Sequence, residues 1–303
     1  MKKENTPWIK LKEYLDHEDY ELISHLQELC VRKDGITLKL ELDYKLGAAV
    51  ESTGMTGLKQ MNEFMYFTGQ QLVGYMGISQ FGGQGSPMEI TGMVHPEFRR
   101  QGIFTQLYAL VTAERKRRNA GDMLMLCDRT SLSGQSFVKK TGAAYRHSEY
   151  EMVFRKAGKD RQMEQGEWGD RLVFRKADNA DAEEIARQNA IYFGEAGDTL
   201  LPEEEEKRGM TIYLAEKAGA TIGKFHLQMS SGAGGIFGLG VLPEHQGQGF
   251  GRELLLQAVE KLQEAKMKDI FLQVAADNAR ALQLYKSCGF QETSIMDYFE
   301  ASP

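Results

Sequence analysis

The sequence predicts an α/β (α+β) protein that contains two tandem copies of one domain. Its 303 residues are twice the length of a common domain of about 150 residues. A glycine-rich turn joins an apolar strand pattern at 236–241 to a periodic helix pattern at 252–266. A related stretch, 94–104, occurs in the first half of the chain. Strand, turn and helix therefore recur, and the recurrence predicts the two-domain organisation.

The two stretches align without a gap, 147 residues apart. The identical pairs at the turn are Val94 and Val241, Pro96 and Pro243, Glu97 and Glu244, Gln101 and Gln248, and Gly102 and Gly249. The same offset pairs Leu107 with Leu254, Asp122 with Asp269, Lys139 with Lys286 and Gly142 with Gly289. A constant offset over about forty residues indicates an internal duplication. We predict an N-terminal domain at 1–155, a polar linker at 156–169 and a C-terminal domain at 170–303.

Hydrophobic periodicity and turn-forming residues predict the elements of the first copy. A helix at 18–32 carries Leu22, Leu26 and Leu29 on one face and ends before Gly35. Residues 50–57 are typical of a loop. The remaining predicted elements are a hairpin of strands 64–68 and 71–79, a strand at 88–94, a helix at 103–119, a strand at 123–127, a helix at 133–140 and a strand at 143–154.

The second copy shows the same alternation of strands and helices. Asp178 or Asn179 caps a predicted helix at 178–192, and proline followed by acidic residues predicts a helix start at 201–206. The remaining predicted elements are strands at 171–175, 210–216, 221–229, 236–241, 269–274 and 294–299, and helices at 252–266 and 279–288. The helix at 252–266 is apolar on one face, which predicts packing on the sheet.

The glycine-rich turn at 240–251 has the chemistry of a pyrophosphate site. The first turn of a helix has about four unpaired N–H groups, and the helix dipole adds about half a positive charge there. Glycines let a ligand approach the backbone closely. No Lys-Ser/Thr pair follows the glycines, which excludes a nucleotide-triphosphate P-loop, and the spacing does not fit Gly-x-Gly-x-x-Gly. A helix cap without a ligand is the structural alternative.

Composition narrows the class of protein. The net charge of -6 and a pI near 5.7 argue against nucleic acid as a partner. No apolar run approaches the ~20 residues of a membrane span, and no secretory signal opens the chain. Cys30, Cys127 and Cys288 lack the spacing of metal ligands and are expected to be core residues in a reducing compartment. We therefore expect a cytoplasmic protein with no metal site and no membrane partner.

Three features of the second copy resemble the GCN5-related N-acetyltransferase (GNAT) superfamily. They are the motif Gln246-x-x-Gly249-x-Gly251, Asn278, and Tyr285 followed by the run 286–290. The resemblance covers nearly all of 171–303 and, less fully, 60–155. It implies that each copy is a mixed, twisted sheet flanked by helices, with two central strands that splay apart. Acetyl-CoA would lie in that splay as a co-substrate.

The resemblance also implies the roles of individual residues. The turn that would hold the pyrophosphate comprises Gln246, Gly247, Gln248, Gly249, Phe250 and Gly251. The pantetheine arm would bind like an added strand along Leu239 to Val241. The N–H of Val241 would polarise the thioester carbonyl. Asn278 would contact the pantetheine arm, cap the following helix, or do both.

In such a family the acetyl group passes directly from thioester to amine. Tyr285 would act as general acid toward the leaving thiolate, or it could be a core aromatic residue. A lysine-like acceptor amine with a pKa of about 10.4 is less than about 0.1% neutral at pH 7, so a base or a water relay is needed. His226 and Glu195 are candidates by position only, and we leave the base unassigned.

The first copy departs from the motif at three positions. Phe104 replaces the last glycine, Ser131 replaces the asparagine and Val138 replaces the tyrosine. The first copy is therefore either a vestigial acyl-CoA domain or a scaffold that shapes the acceptor cleft, and we favour the scaffold. The basic run 115–118 could meet a CoA phosphate or could be a solvated helix end.

The sequence thus predicts an acetyl-CoA-dependent N-acetyltransferase with its chemistry in the C-terminal domain. The acceptor would be a small-molecule or peptide amine. Two alternatives stay open: a non-catalytic acyl-CoA-binding or regulatory module, and transfer of another acyl group. The sequence does not determine the acceptor or the oligomeric state.

Overall fold

The computed structural model divides the chain into two compact units. Unit 1 contains Met1–Ser148 together with Ser294–Pro303, and unit 2 contains Glu149–Thr293. The structure describes residues 6–48, 60–81, 86–155, 172–194, 201–230 and 232–301. The predicted linker at 156–169 and the predicted loop at 50–57 lie outside the described residues.

Unit 1 is a mixed sheet with helices. Its elements along the chain are β1 (Pro7–Lys12), α1 (His17–Asp34), α2 (Leu42–Ala48), β2 (Glu63–Thr68), β3 (Gln71–Ser79), β4 (Met88–Val94), α3 (Ile103–Arg118), β5 (Met123–Asp128) and α4 (Leu132–Thr141). The strand order is β1-β2-β3-β4-β5-β12, in which only the pair β4–β5 is parallel. The predicted α/β class is confirmed.

Unit 2 repeats this architecture. The elements that follow α4 along the chain are β6 (Ala144–Phe154), β7 (Val173–Lys176), α5 (Ala182–Phe193), α6 (Pro202–Lys207), β8 (Met210–Lys217), β9 (Ala220–Ser230), β10 (Ala233–Val241), α7 (Phe250–Glu264), β11 (Asp269–Ala275), α8 (Ala279–Ser287) and β12 (Phe290–Glu300). The strand order in unit 2 is β6-β11-β10-β9-β8-β7, with β10–β11 parallel. Leu254, Ala258 and Leu262 of α7 pack into the core of this unit.

Backbone dihedral angles repeat at the offset of 147 residues seen in the sequence. The residues with positive φ that pair at this offset are Arg100 (65°) with Gly247 (75°), Gly102 (82°) with Gly249 (88°), Asn119 (50°) with Lys266 (60°), and Gly142 (75°) with Gly289 (98°). Left-handed residues are uncommon outside glycine, so their coincidence at one offset indicates that both copies build the same turns. The duplication therefore extends to local backbone geometry.

The C-terminal part of the last strand of each repeat lies in the other unit. Within unit 2, β6 pairs with β11, and within unit 1, β12 pairs with β5. The partners Gln273 and Glu151 in one ladder correspond to Leu126 and Tyr298 in the other at the same offset. The two strands therefore meet their sheets in equivalent registers. The division at 155 and 170 remains a prediction about the repeats, and the compact units differ from it in these strands.

In each unit the two parallel strands are hydrogen-bonded along only part of their length and then separate. The β4–β5 ladder joins Met88–Ile90 to Met123–Met125, and the β10–β11 ladder joins Ala233–Ile236 to Asp269–Leu272. Beyond these residues each pair of strands is no longer hydrogen-bonded. We call each opening the split of its unit, and it is the splay that the family resemblance implied.

Two elements were not predicted. The edge strand β1 places lysines at alternate positions, and α2 is only seven residues long, so neither has a strong periodic signal. The helix predicted at 178–192 begins as a 3-10 turn at Asn179–Asp181, with Asp178 as its N-cap. The other predicted helices and strands agree with the structure apart from their ends.

Unit 1 contains a buried carboxylate whose ionisation stabilises the fold. Burial alone would raise the pKa of Glu114, but hydrogen bonds from Arg117, Arg118 and the N–H of Met61 lower it to about 2. A carboxylate with a depressed pKa stabilises the protein above its ordinary pKa of 4.5, and this stabilisation is lost as the pH falls toward 2. We expect Glu114→Gln to lower the free energy of unfolding by about 1–3 kcal/mol at pH 7.

Urea unfolding between pH 2.5 and 7 measures this effect. The difference between wild type and Glu114→Gln should shrink steadily as the pH falls. Glu183→Gln removes an exposed carboxylate and serves as the control, with little change at any pH. A difference for Glu114→Gln that does not vary with pH would contradict the assignment.

Candidate functional site

In unit 2 the glycine-rich turn leads directly into α7. After β10 the chain forms a 3-10 turn at Pro243–His245, and Gly247 and Gly249 then adopt positive φ angles of 75° and 88°. Gly249 is the N-cap of α7 and has no side chain to satisfy the helix amides. Phe250 is buried in the core, so its side chain anchors the start of the helix.

The amides of this turn are open. Among the described residues, no backbone carbonyl accepts a hydrogen bond from the N–H groups of Gln248, Gly249, Phe250 or Gly251. A Cβ at Gly251 would meet only Leu284, at 3.5 Å. Unpaired N–H groups and the positive end of the α7 dipole together form an anion-binding concavity.

The side chain of Gln246 holds the turn in place. Its Nε2 donates to the carbonyl of Val241 at 3.0 Å, and its Oε1 accepts from Arg280 at 3.2 Å. Arg280 is exposed on the first turn of α8, which places a cation beside the open amides. Sequence reasoning missed Arg280, because only the fold brings α8 next to this turn.

The N–H of Val241 points into the split of unit 2. Leu242 donates its N–H to Ile222 across the β9–β10 ladder. Neighbouring residues of an antiparallel strand direct their N–H groups to opposite sides. The N–H of Val241 therefore faces away from β9, as does its carbonyl, which accepts from Gln246.

Strand β10 contains a β-bulge that β4 does not. The β9–β10 register shifts between Phe237 and Gly240, so Gly238 and Leu239 together oppose Phe225. Gly238 has a φ of 55°. In unit 1 the β3–β4 ladder runs from Gly74–Val94 to Ser79–Glu89 without a shift. A bulge re-aims peptide groups and is common beside active sites.

Tyr285 lies on α8 in the core of unit 2. Its ring packs 6.2 Å from that of Phe290, measured between centroids, and burial raises the pKa of its hydroxyl. Among the described residues, no protein group forms a hydrogen bond with this hydroxyl. A protonated phenol without a protein partner has the properties of a hydrogen-bond donor for a ligand.

Asn278 caps α8. Its Oδ1 accepts from the N–H of Ala281 at 3.1 Å, and in unit 1 Ser131 accepts from Gly134 in the same way at 3.2 Å. Asn278 therefore has the capping role that the sequence allowed, and Ser131 caps its own helix in the same way. The carboxamide nitrogen of Asn278 has no described partner and could still bind a ligand.

A buried polar pair lies on the opposite face of the unit 2 sheet from α7. Lys224 and His226 alternate with Phe225 on β9, and Lys224 Nζ lies 3.1 Å from His226 Nε2. Burial and the charge of Lys224 hold the pKa of His226 well below its usual value. His226 is thus engaged by Lys224 rather than open as a base. Glu195, the other candidate, lies outside the described residues.

Unit 1 repeats the turn with different side chains. Arg100 and Gly102 adopt the left-handed angles of Gly247 and Gly249, so the open-amide geometry is preserved. A cavity of 570 Å³ occupies the split of unit 1. Its apolar lining includes Ile90, Met93, Phe104, Met125, Phe137 and Val138.

The basic run 115–118 is largely occupied by structural contacts. Arg117 and Arg118 pair with Glu114, and Arg118 also donates to the carbonyl of Met61 at 2.6 Å. Arg115 donates to the carbonyl of Gly121 at 2.9 Å. These contacts favour the helix-end interpretation over a phosphate site.

Some classes of site are absent from the described residues. His, Cys, Asp and Glu side chains form no described group of three that could hold a metal ion. Within the same residues, no helix has both the length and the apolar content needed to cross a bilayer. Cys30, Cys127 and Cys288 are buried and unpaired.

Several proteins of known sequence share segments with this chain. The [ribosomal protein bS18]-alanine N-acetyltransferase of Escherichia coli K12 is 40% identical over 60 residues, which is 20% of this chain and 40% of that protein. The mycothiol acetyltransferase of Thermobispora bispora is 36% identical over 92 residues, 28% of this chain and 31% of that protein. The chain thus spans less than half the length of these curated relatives.

Solved structures match over the whole chain. A GCN5-related N-acetyltransferase from Sphaerobacter thermophilus superposes with a TM-score of 0.72 at 17% identity, covering 96% of this chain and 95% of that one. A tandem GNAT protein from the clavulanic acid biosynthesis pathway also gives 0.72, at 16% identity, covering 98% and 99%. At these identities the likeness concerns the fold alone.

The sequence model of the acetyltransferase (GNAT) family matches two regions, residues 21–142 and 180–290. Together these regions include the glycine-rich turn of each unit and most of both sheets. The predicted tandem organisation is confirmed, and the chain belongs to the acetyltransferase (GNAT) family, with one domain of that family in each half.

Proposed function

We propose that the protein is an N-acetyltransferase that uses acetyl-CoA, with its chemistry in unit 2. The observation that carries this proposal is the bulge of β10, the strand that leads into the open-amide turn and belongs to the same unit as Tyr285. In the described ladders of unit 1 the equivalent strand has no shift. Family membership supports acetyl transfer in general, and the bulge favours unit 2 as its place.

The residues of unit 2 fit the parts of acetyl-CoA. The open amides of 248–251 and the nearby Arg280 match a pyrophosphate, which is anionic and accepts several hydrogen bonds. Leu239 and Val241 border the split, where an extended pantetheine arm can pair like a strand. Asn278 offers its free amide nitrogen to the same arm. Acetyl-CoA supplies an activated acyl group as a thioester.

Two groups of this chain would then assist the reaction: one would stabilise developing negative charge, and the other would donate a proton. The N–H of Val241 faces the split and would donate to the thioester oxygen as negative charge develops there. The amine nitrogen would form a bond to the acyl carbon and lose its proton to a water relay, while the carbon–sulfur bond breaks. Tyr285 would donate its hydrogen bond or proton to the departing sulfur, because its raised pKa keeps it protonated.

The acceptor is an amine, and its class is open to experiment. The bS18-alanine enzyme of Escherichia coli is named for an alanine acceptor on a protein. An N-terminal alanyl peptide is therefore the first acceptor to test, followed by spermidine and glucosamine as a polyamine and an amino sugar.

A second arrangement is favoured by the cavity in unit 1. Its volume of 570 Å³ lies in the range of small-molecule sites, and it adjoins the turn that carries Gly102. Unit 1 could thus hold an acyl-CoA without turning it over, because Val138 has no proton to donate. In this case unit 1 is the vestigial acyl-CoA domain rather than the scaffold that we favoured from sequence.

Loss of the Tyr285 hydroxyl tests the chemistry. We expect Tyr285→Phe to lower kcat at least about tenfold with little change in KM for acetyl-CoA, because the proton donor acts mainly in the transition state. The measurement is thiol release from acetyl-CoA with the three acceptors. Tyr213→Phe removes another hydroxyl from unit 2 and should leave kcat unchanged. Equal turnover of Tyr285→Phe and wild type would remove Tyr285 from the mechanism.

A matched pair of charge substitutions tests which turn binds the cofactor. Gln101 and Gln248 are equivalent, exposed and adjacent to the open amides of their units. A carboxylate there would repel a pyrophosphate, so we expect Gln248→Glu to weaken CoA binding about tenfold and Gln101→Glu to leave it nearly unchanged. Titration calorimetry with CoA at low salt measures both. The reverse result would assign CoA to unit 1.

A further inference from the structure

Unit 2 contains a lysine that is wholly buried without a carboxylate partner among the described residues. Lys224 has no exposed surface, and burial lowers its pKa to about 7. The last turn of α5 covers it, with Nζ 5.6 Å from the ring centroid of Tyr192 and 5.8 Å from that of Phe193. An unpaired buried cation is costly to a fold, so its presence needs a reason.

The ammonium of Lys224 contacts the bulge of β10. Nζ donates to the carbonyl of Gly238 at 3.2 Å and lies 3.1 Å from His226 Nε2. Gly238 is one of the two residues that the bulge removes from the regular ladder. A bulge leaves backbone groups without ladder partners, and a buried carbonyl needs a donor. Lys224 supplies that donor.

Glycine makes room for this arrangement. A Cβ at Gly240 would lie 2.3 Å from the ring of Tyr192, and one at Gly238 would lie 3.1 Å from the ring of His226. Any larger residue at Gly240 would displace the ring that covers Lys224. The bulge, the lysine and its aromatic cover therefore form one packed cluster, which we call the Lys224 cluster: Tyr192, Phe193, Lys224, His226, Gly238 and Gly240.

We propose that Lys224 is a positioning residue for acetyl transfer, which clamps the bulge of β10 and holds a positive charge behind the peptide groups that face the thioester. The inference rests on the proposed function. Lys224 does not touch the reacting atoms. It acts through the carbonyl of Gly238, and the cation favours the negative charge that develops on the thioester oxygen in the transition state.

Unit 1 provides an internal comparison. Tyr75 pairs with Met93 in unit 1, as Lys224 pairs with Gly240 in unit 2, so Tyr75 occupies the place of Lys224. That unit has a regular β3–β4 ladder and no lysine on β3. Its buried lysine, Lys45, is instead neutralised by Glu63 at 3.1 Å. Among the described residues, the bulge and the buried lysine without a carboxylate partner therefore occur together, in unit 2.

The decisive variant is Lys224→Met, which keeps the length of the side chain and removes its charge. At pH 6, where Lys224 is charged, and with the acceptor that wild type turns over fastest, we expect kcat to fall at least tenfold and KM for acetyl-CoA to change less than threefold. The Tm at pH 6 should stay close to that of wild type, because removal of the buried charge offsets the loss of its hydrogen bond to Gly238. Unchanged kcat, or a Tm that falls together with kcat, would overturn the proposal.

Lys45→Met is the matched control. It removes a buried lysine that has a partner, and it leaves Glu63 buried and unpaired, so its Tm should fall. The remaining folded protein should keep the kcat of wild type. A rise in the Tm of Lys45→Met would show that loss of any buried lysine stabilises this protein, and the Tm argument for Lys224 would then fail.

The pH dependence of stability tests the buried cation without any catalytic assay. The groups that face Lys224 are His226 and Tyr192, with Glu184, Arg187 and Glu244 around Tyr192. The folded protein loses the Lys224 proton near pH 7, whereas the unfolded chain keeps it up to a pKa of 10.5. The free energy of unfolding of wild type should therefore rise with pH above 7 relative to that of Lys224→Met.

These measurements distinguish failure of the proposed function from failure of the positioning role of Lys224. If wild type releases no thiol with any acceptor, the proposed function fails, while the pH dependence of stability still tests whether Lys224 is a buried cation. If wild type is active and Lys224→Met is equally active, the proposed function stands and the positioning role is wrong. A pH-independent difference in stability would contradict the buried charge.

Discussion

The functional architecture depends on parallel strands that separate before they end. In unit 2 the β10–β11 ladder stops at Ile236 and Leu272, and the strands beyond it have backbone groups with no partner on the facing strand. Buried peptide groups must be satisfied, so such a split persists only where a ligand or side chains can occupy it. The open amides of α7, the N–H of Val241 and the Tyr285 hydroxyl all belong to the elements that border this opening.

Duplication gives the protein two versions of this opening on one scaffold. Both keep the left-handed residues of the turn, so the backbone geometry of an anion site survives in each. The differences are the bulge of β10, which β4 lacks, and three side chains: Phe104 for Gly251, Val138 for Tyr285 and Tyr75 for Lys224. Unit 1 has an apolar cavity beside its turn, and unit 2 has the bulge and Tyr285. The two copies have thus diverged around a shared backbone turn.

The exchange of final strands follows from the same duplication. Strands β6 and β12 are equivalent, and each meets its sheet in the same register at the offset of 147 residues. A sheet edge selects a strand by its pattern of side chains and by the backbone groups that it offers. At this offset no residue of β6 is identical to its counterpart in β12. The duplication thus preserves the register of the final strands, whereas their side chains have diverged.

The sequence by itself determined the class of fold, the duplication and the turn before α7, because periodicity and glycine spacing are local properties of the chain. It also identified Tyr285 and Asn278 through a family motif. Only the tertiary structure revealed Arg280 beside the turn, the bulge of β10, the burial of Lys224 and the cavity of unit 1. Each of these features depends on residues from separate elements or on strand register. Contacts between elements and strand register leave no periodic signal in one stretch of sequence.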